Sequence, residues 1–417
     1  MRRILIVGAG QSGLFLAHKL IDNNYEVTLI TGKTSPEIRR GRTSATQFTL
    51  QRVREMEHEA GLDFWSDQAP EYNWVDLSLR APGQPPLDIS GKQSAGPGVS
   101  VERRVKMADW MEYFEDRGGK VVIHGVTVSD LDYFARMYDL VVVAVGSGEL
   151  GELFPNDPSR SGGAQTGVLS QAILHGVAPS DKGEQRVSVI STPGGEVVCT
   201  PILTSAGPAT SVFTMARPGS ELDGSADVVG RGSEAMLRAM MGRLTEHVPD
   251  IAERCRDATL VDDNAMLMER IVPAVHRPVG MLPSGGLVMG MADAVVTSDP
   301  VSAQGWANST ICAQKFADAI LARGEAPFDA AWMNETFDSF WEEQGKHAAT
   351  FSQMVTGFWS GDVPDHFGEL LPAVTEHQEI ADRWISGFND PGDYEKWMFD
   401  PDSCRDYISR VAQQSSE

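Results

Sequence analysis

The clearest hydrophobic pattern stands at the start of the chain. Ile4-Leu5-Ile6-Val7 is an uninterrupted apolar run of strand length, which suits a strand buried on both faces of a parallel sheet. A glycine turn follows from Gly8 to Gly13, then a helix expected over residues 14–22 and a second strand over 26–30. Residues 34–47 are polar and arginine-rich and read as a loop, and Leu50, Val53 and Met56 predict a helix over 49–60. Between Pro70 and Pro97, dense Pro and Gly with alternation from Trp74 to Leu79 predict short antiparallel strands inserted into an α/β frame. Met107, Trp110, Met111 and Phe114 mark an amphipathic helix over 101–116, stopped by Gly118-Gly119. A strand over 120–123, a short helix capped by Ser129 and a buried strand over 140–145 come next, the last running into Gly146-Ser147-Gly148. From Arg186 to Met215 the pattern becomes a β-meander. It gives way to a helix carrying Met236, Leu237, Met240, Met241 and Leu244, whose methionines read as core packing. Extended and irregular segments over 260–279 lead to a strand over 287–290 and a helix from near Trp306. From Phe328 onward the pattern is helical and rich in aromatics.

The glycine turn gives the first chemical reading. Gly8 allows the turn, Gly10 lets backbone approach a pyrophosphate, and Gly13 lets helix and strand pack closely, with Gln11 and Ser12 between them. A helix start offers free N–H groups and a positive dipole end, so the turn reads as a dinucleotide site. The acidic residue that usually reads a ribose is replaced at the end of the second strand by Thr31, followed by Gly32 and Lys33. Gly146, where a buried strand meets glycine, is a candidate second backbone contact.

Composition narrows the classes. At 417 residues, two or three subdomains are expected, and a net charge of −23 argues against nucleic acid and anionic membranes. Cys199, Cys255, Cys312 and Cys404 lie far apart without a Cys-x-x-Cys pair, which predicts free thiols, no metal site and a cytoplasmic protein. The N-terminal run is a strand rather than a signal peptide, and no apolar run reaches membrane-spanning length. The nine His are scattered, and neither an acid/base dyad nor a nucleophile constellation is found.

A second informative stretch runs from Gly290 to Asn308. A strand ending in Gly-x-x-Asp places Asp293 where it can accept hydrogen bonds from a polyol. The Asp299-Pro300…Gln304-Gly305 turn opens another helix N-terminus, suited to an electron-rich ring. An early glycine turn paired with this late segment is the arrangement that holds the two halves of FAD in flavoprotein monooxygenases.

The run from Met289 to Asn308 resembles the flavin segment of styrene monooxygenase oxygenase subunits and the related indole monooxygenases. The segment Gly387-Phe388-Asn389-Asp390-Pro391 with Trp397 does so too, and the similarity extends over nearly the whole chain. The resemblance implies an α/β, para-hydroxybenzoate-hydroxylase-like fold. In it an FAD-binding Rossmann domain (1–150 and 265–330) carries an inserted antiparallel β substrate domain (part of 40–100, and 151–264), and a helical region spans 331–417. It implies FAD contacts at Gly8, Gly10, Gly13, Arg42, Arg104, Asp293, Gln304, Gly305 and Asn308, with Gln11, Ser12, Thr31, Gly146 and Pro300 as further candidates. It also implies electrons from a separate NADH-dependent reductase, and epoxidation of an aryl alkene or indole C=C by O₂ through a C4a-hydroperoxyflavin. A homodimer is left open. Such chemistry needs positioning and water exclusion rather than a strong base. Ala303 and Trp306 stand where the family usually has Gly and Ala. Single-component relatives carry Asp-Gly at the end of the 140–145 strand, whereas this chain has Val145-Gly146-Ser147, so no NAD(P)H site is expected; Asp223-Gly224 lies in a polar loop. The Trp-x-Trp-x-Ile-Pro element of halogenases is absent. Ala45, Gln47 and Thr49 fall at substrate-facing positions, where Gln47 tilts the chain towards an indole-like substrate and Ala45 matches neither type. Phe48 and Trp74 are further candidates for the pocket. The alternatives are a one-component NAD(P)H-dependent hydroxylase, a non-catalytic FAD-fold binding protein, a sulfoxidase, or an oxygenase acting on a larger biosynthetic substrate.

Overall fold

A computed structural model describes residues 2–146, 148–161, 166–183, 185–227, 232–361 and 363–414. Ser147, within the Gly146-Ser147-Gly148 reading, lies outside them.

The first apolar run forms β1 (Arg3–Val7) and feeds α1 (Gln11–Ile21) and β2 (Glu26–Thr31). β1 lies between β2 and the Leu140–Val143 strand, parallel to both, which is why four of its five residues are buried. Lys120–Ile123 extends this sheet beyond β2, Leu287–Gly290 extends it beyond Leu140–Val143, and Val279–Met281 closes the edge antiparallel.

Two local expectations are corrected. The segment read as a loop contains α2 (Ser35–Arg40). Its N-cap Thr34 and Glu37 form a reciprocal capping box with Pro in the first turn, a signal masked by the polar, arginine-rich composition. The short helix after residue 123 is capped by Thr127 paired with Asp130, not by Ser129, because the box needs its acidic partner three residues on. Further on, α3 (Gln51–Glu59) and α4 (Arg103–Asp116) form near their expected places.

The second sheet has eight strands and is mixed rather than purely antiparallel. Its hairpin Trp74–Leu79/Leu87–Lys92 joins the meander through a parallel pairing with Arg186–Thr192. The Gly167–His175 strand pairs with Gly207–Ala216 and with Met266–Ile271. It was not expected, because eight of its nine residues are buried and no alternation marks it.

One face of this sheet packs on the Ser233–His247 helix. The other packs on the C-terminal helices. Gln378–Ser386 lies so close to Leu87–Lys92 that a Cβ on Gly91 would meet the Ala381 carbonyl at 2.5 Å. No helix among the described residues is long and apolar enough to cross a membrane.

Candidate functional site

A cleft of about 350 Å³ opens between the two sheets, and both informative stretches of the sequence border it. From the first come Gly10, Gln11 and Ser12, at the start of α1. A Cβ on Gly13 would lie 2.0 Å from the Gly8 carbonyl, so only glycine lets α1 begin this near β1. Gly8 itself has φ +118°, a conformation glycine adopts without strain. Gly10 as N-cap supplies no side chain to the first turn of α1, leaving that end open.

From the second stretch come Asp293, Thr297, Ser298, Pro300, Ala303, Gly305 and Trp306. They precede or begin the long Gly305–Arg323 helix, whose N-terminus also lacks a side-chain cap. Gly146 joins the two stretches, since a Cβ there would fall 2.2 Å from the Asp293 carbonyl. The Asp293 side chain is accessible from the cleft although protein surrounds it. That crowding pushes its carboxyl above the usual aspartate range, and Arg103 opposes the shift.

The remaining predicted residues occupy other places. Gln304 is buried and donates to the Ser302 and Phe388 carbonyls at 3.1 and 2.8 Å. Asn308 is buried, donates to Ser298 Oγ at 2.9 Å and accepts from Gln344 at 3.1 Å, so both hold the flavin-type loop from behind. Thr31 ends β2, half-buried, and Arg42 is exposed, both outside the cleft lining. Arg104 is buried and spent on Glu102 at 2.5 Å, Asp262 at 2.8 Å and the Gly41 carbonyl at 3.1 Å, tying α4 to the loop around Gly41 and to the turn that precedes the Met266–Ile271 strand.

Its neighbour Arg103 lines the cleft instead, near Gly10. Successive helical residues point about 100° apart, so of an Arg-Arg pair at a helix start one faces the ligand. The doublet was visible in the sequence, but the rotation was not. Glu269 and Ile271, on a strand of the second sheet, are further cleft residues that sequence reasoning missed.

On the side of the second sheet, Ala45, Thr46, Gln47 and Phe48 border the cleft. Gln171 fixes this loop by accepting from Thr46 N at 2.7 Å and donating to the Ser44 carbonyl at 3.0 Å. Gln47 folds its amide N–H onto the Ala45 carbonyl at 2.8 Å. Phe48 and Ala303 also wall a smaller, mainly apolar pocket of about 40 Å³ with Leu50, Tyr72, Val75, Phe213 and Phe388. Thr49 is buried beside Val99, and Trp74 stacks under Arg186, so both lie outside the cleft. No group of three or more metal-ligating side chains occurs among the described residues.

These residues fit FAD on structural grounds. Two uncapped helix ends, a glycine cradle that a Cβ would fill, a cation at the glycine end and a carboxylate between the helix ends are the donors and acceptors that an extended dinucleotide requires.

Comparison with known proteins gives the same direction. Residues 146–254 match the family model described as "Styrene monooxygenase A putative substrate binding domain". The chain is 26% identical over 396 residues to styrene monooxygenase StyA of Pseudomonas fluorescens, covering 94% of this chain and 93% of that protein. In fold it is similar to the flavin-dependent brominase Bmp2, with TM-score 0.66, 15% identity and 99% of each chain covered. It is also similar to p-nitrophenol 4-monooxygenase PnpA from Pseudomonas putida, with TM-score 0.66, 12% identity, and 95% and 98% covered.

Proposed function

From the premise that the chain is an FAD-dependent monooxygenase of the styrene monooxygenase type, within the two-component flavin monooxygenases, we infer that it epoxidises a small aryl alkene or indole C=C with O₂ and externally reduced FAD. The observation that carries the substrate reading is the apolar end of the cleft, where Phe48 and Ala303 adjoin a further apolar pocket of about 40 Å³ that is itself smaller than an aryl ring; a ring lodged in the cleft against these two residues would have few polar anchors.

Bound reduced FAD supplies the activation of oxygen. The chain's own residues bind, orient and keep water out. The amides at the start of α1, with Arg103, would hold the pyrophosphate, and Asp293 would accept from the ribityl hydroxyls. The N-terminus of the Gly305–Arg323 helix would face the flavin ring. Gly8, Gly13 and Gly146 keep the backbone close enough for this. Gln304 and Asn308 act through the loop they brace rather than by touching the cofactor. With its N–H turned to Ala45, Gln47 has a carbonyl left to accept from an indole N–H, which keeps the indole-like reading open. The division into an FAD-binding frame, a β substrate domain and a helical region belongs to this proposal. So does a cytoplasmic location, which the four free, buried cysteines support.

The test supplies purified protein with NADH and a flavin reductase, then offers styrene and indole side by side. Product should form only with the reductase present. Oxidation of NADH by the chain alone, or no product with reduced FAD, refutes the reading; indigo from indole supports the tilt given by Gln47, and turnover of styrene alone refutes that tilt.

A further inference from the structure

Behind the cleft wall lies a charge pair that neither the dinucleotide site nor the apolar pocket uses. Glu57 on α3 and Lys106 on α4 are 2% and 1% exposed. Lys106 Nζ donates to both Glu57 oxygens, at 2.8 and 2.6 Å. The ammonium also sits 4.8, 5.2 and 5.6 Å from the ring centroids of Trp306, Trp110 and Trp65. Burial draws the Lys106 amine down and Glu57 pulls it back up.

Glu57 Oε1 has two more donors. Gln11 Nε2 reaches it at 3.1 Å and Trp306 Nε1 at 3.0 Å. Gln11 Nε2 also donates to Thr310 Oγ1 at 2.8 Å, one turn along from Trp306. One carboxylate therefore ties the first turn of α1 to the first turn of the Gly305–Arg323 helix. Those are the two uncapped ends that open on the cleft.

A buried ion pair adds little to stability compared with apolar residues of the same shape, so stability is a weak reason for its presence. Hydrogen bonds, however, weaken steeply with distance and angle, so a junction of this kind fixes where its members stand relative to one another. We propose that Glu57 and Lys106 are positioning residues that set the spacing between the two helix N-termini, so that one extended dinucleotide is held at both ends with the Trp306 ring as a fixed wall. This rests on the FAD reading above. Spacing matters only to a ligand that spans both ends; ADP meets the α1 end alone and is indifferent to it.

The discriminating experiment compares FAD with ADP on the full chain. Glu57→Leu/Lys106→Met removes the acceptor shared by Gln11 and Trp306, at two residues outside the cleft lining. Glu57→Gln/Lys106→Met removes both charges together and leaves no unpaired ion behind. For each, FAD affinity is measured by flavin fluorescence and ADP affinity by displacement of FAD. Both variants should bind FAD about five- to tenfold more weakly, with ADP changed by less than about twofold. Equal weakening of FAD and ADP, or unchanged FAD affinity, overturns the spacing role while the FAD reading stands. Absence of FAD binding by the unaltered chain overturns both.

Discussion

Two buried carboxylate clusters flank the same cleft and manage their charge in opposite ways. At the junction of the helix ends, Glu57 is paired with Lys106 at 2.6 Å. On the second sheet, Glu196 is 5% exposed and its charged neighbours are another carboxylate, Asp299, and the Arg217 guanidinium, which is spent on the Thr192, Pro193 and Thr356 carbonyls. Burial pushes Glu196 up to about 8, with Arg217 pulling down and Asp299 pushing further up. Asp299, just before Pro300 in the cleft wall, is raised by burial to about 6 despite the Val301 N–H and Arg217. The first cluster neutralises charge with a counter-ion. In the second, burial favours the protonated form of Glu196, and the two respond differently to mutation and to pH.

The largest effect should come from breaking the paired cluster on one side. Glu57→Gln leaves Lys106 buried without its partner, and unfolding free energy should fall by about 3–5 kcal/mol. The same change at Glu196 removes no partner and should cost far less at neutral pH. Chemical denaturation of both variants checks this. Equal losses would mean that Glu196 is held ionised by its surroundings.

Next is the pH response. A carboxyl raised in the folded state stabilises fully below its ordinary value of 4.5, and that contribution is lost as pH rises through about 8. Glu196→Gln cannot ionise. Its stability should therefore gain on the unaltered chain across that window, by at most about 1.4 kcal/mol per pH unit, with Asp299 titrating as part of the same pair. Denaturation midpoints of both proteins between pH 5 and 8 provide the measurement; parallel curves would place Glu196 outside the titrating cluster.

Neither cluster could be read from the sequence. Glu57, Lys106, Gln11 and Trp306 come from four helices, and Glu196 and Asp299 stand about a hundred residues apart, so only the tertiary fold makes them neighbours. What was legible was local. The glycine turn, the 290–308 stretch and the apolar runs of the parallel sheet each carry their signal within a short window. The Gly167–His175 strand was lost because burial on both faces erases alternation. Arg103 was passed over for Arg104 because helix rotation, not composition, decides which of the two meets the cleft.

The smallest effect sharpens the comparison most. Trp359 Nε1 donates to Ser191 Oγ at 2.9 Å, and Ser191 Oγ in turn donates to Glu196 Oε1 at 3.1 Å, linking the C-terminal region to the second cluster. Trp359→Phe removes that outer donor and leaves Ser191 free to keep serving Glu196. The expected cost is about 1 kcal/mol, the worth of one neutral hydrogen bond. Because no charge is touched, the cost should be the same at pH 5 and pH 8. A loss that grows with pH would mean that the indole helps to hold the ionised form of Glu196. In that case the second cluster would have begun to resemble the paired one.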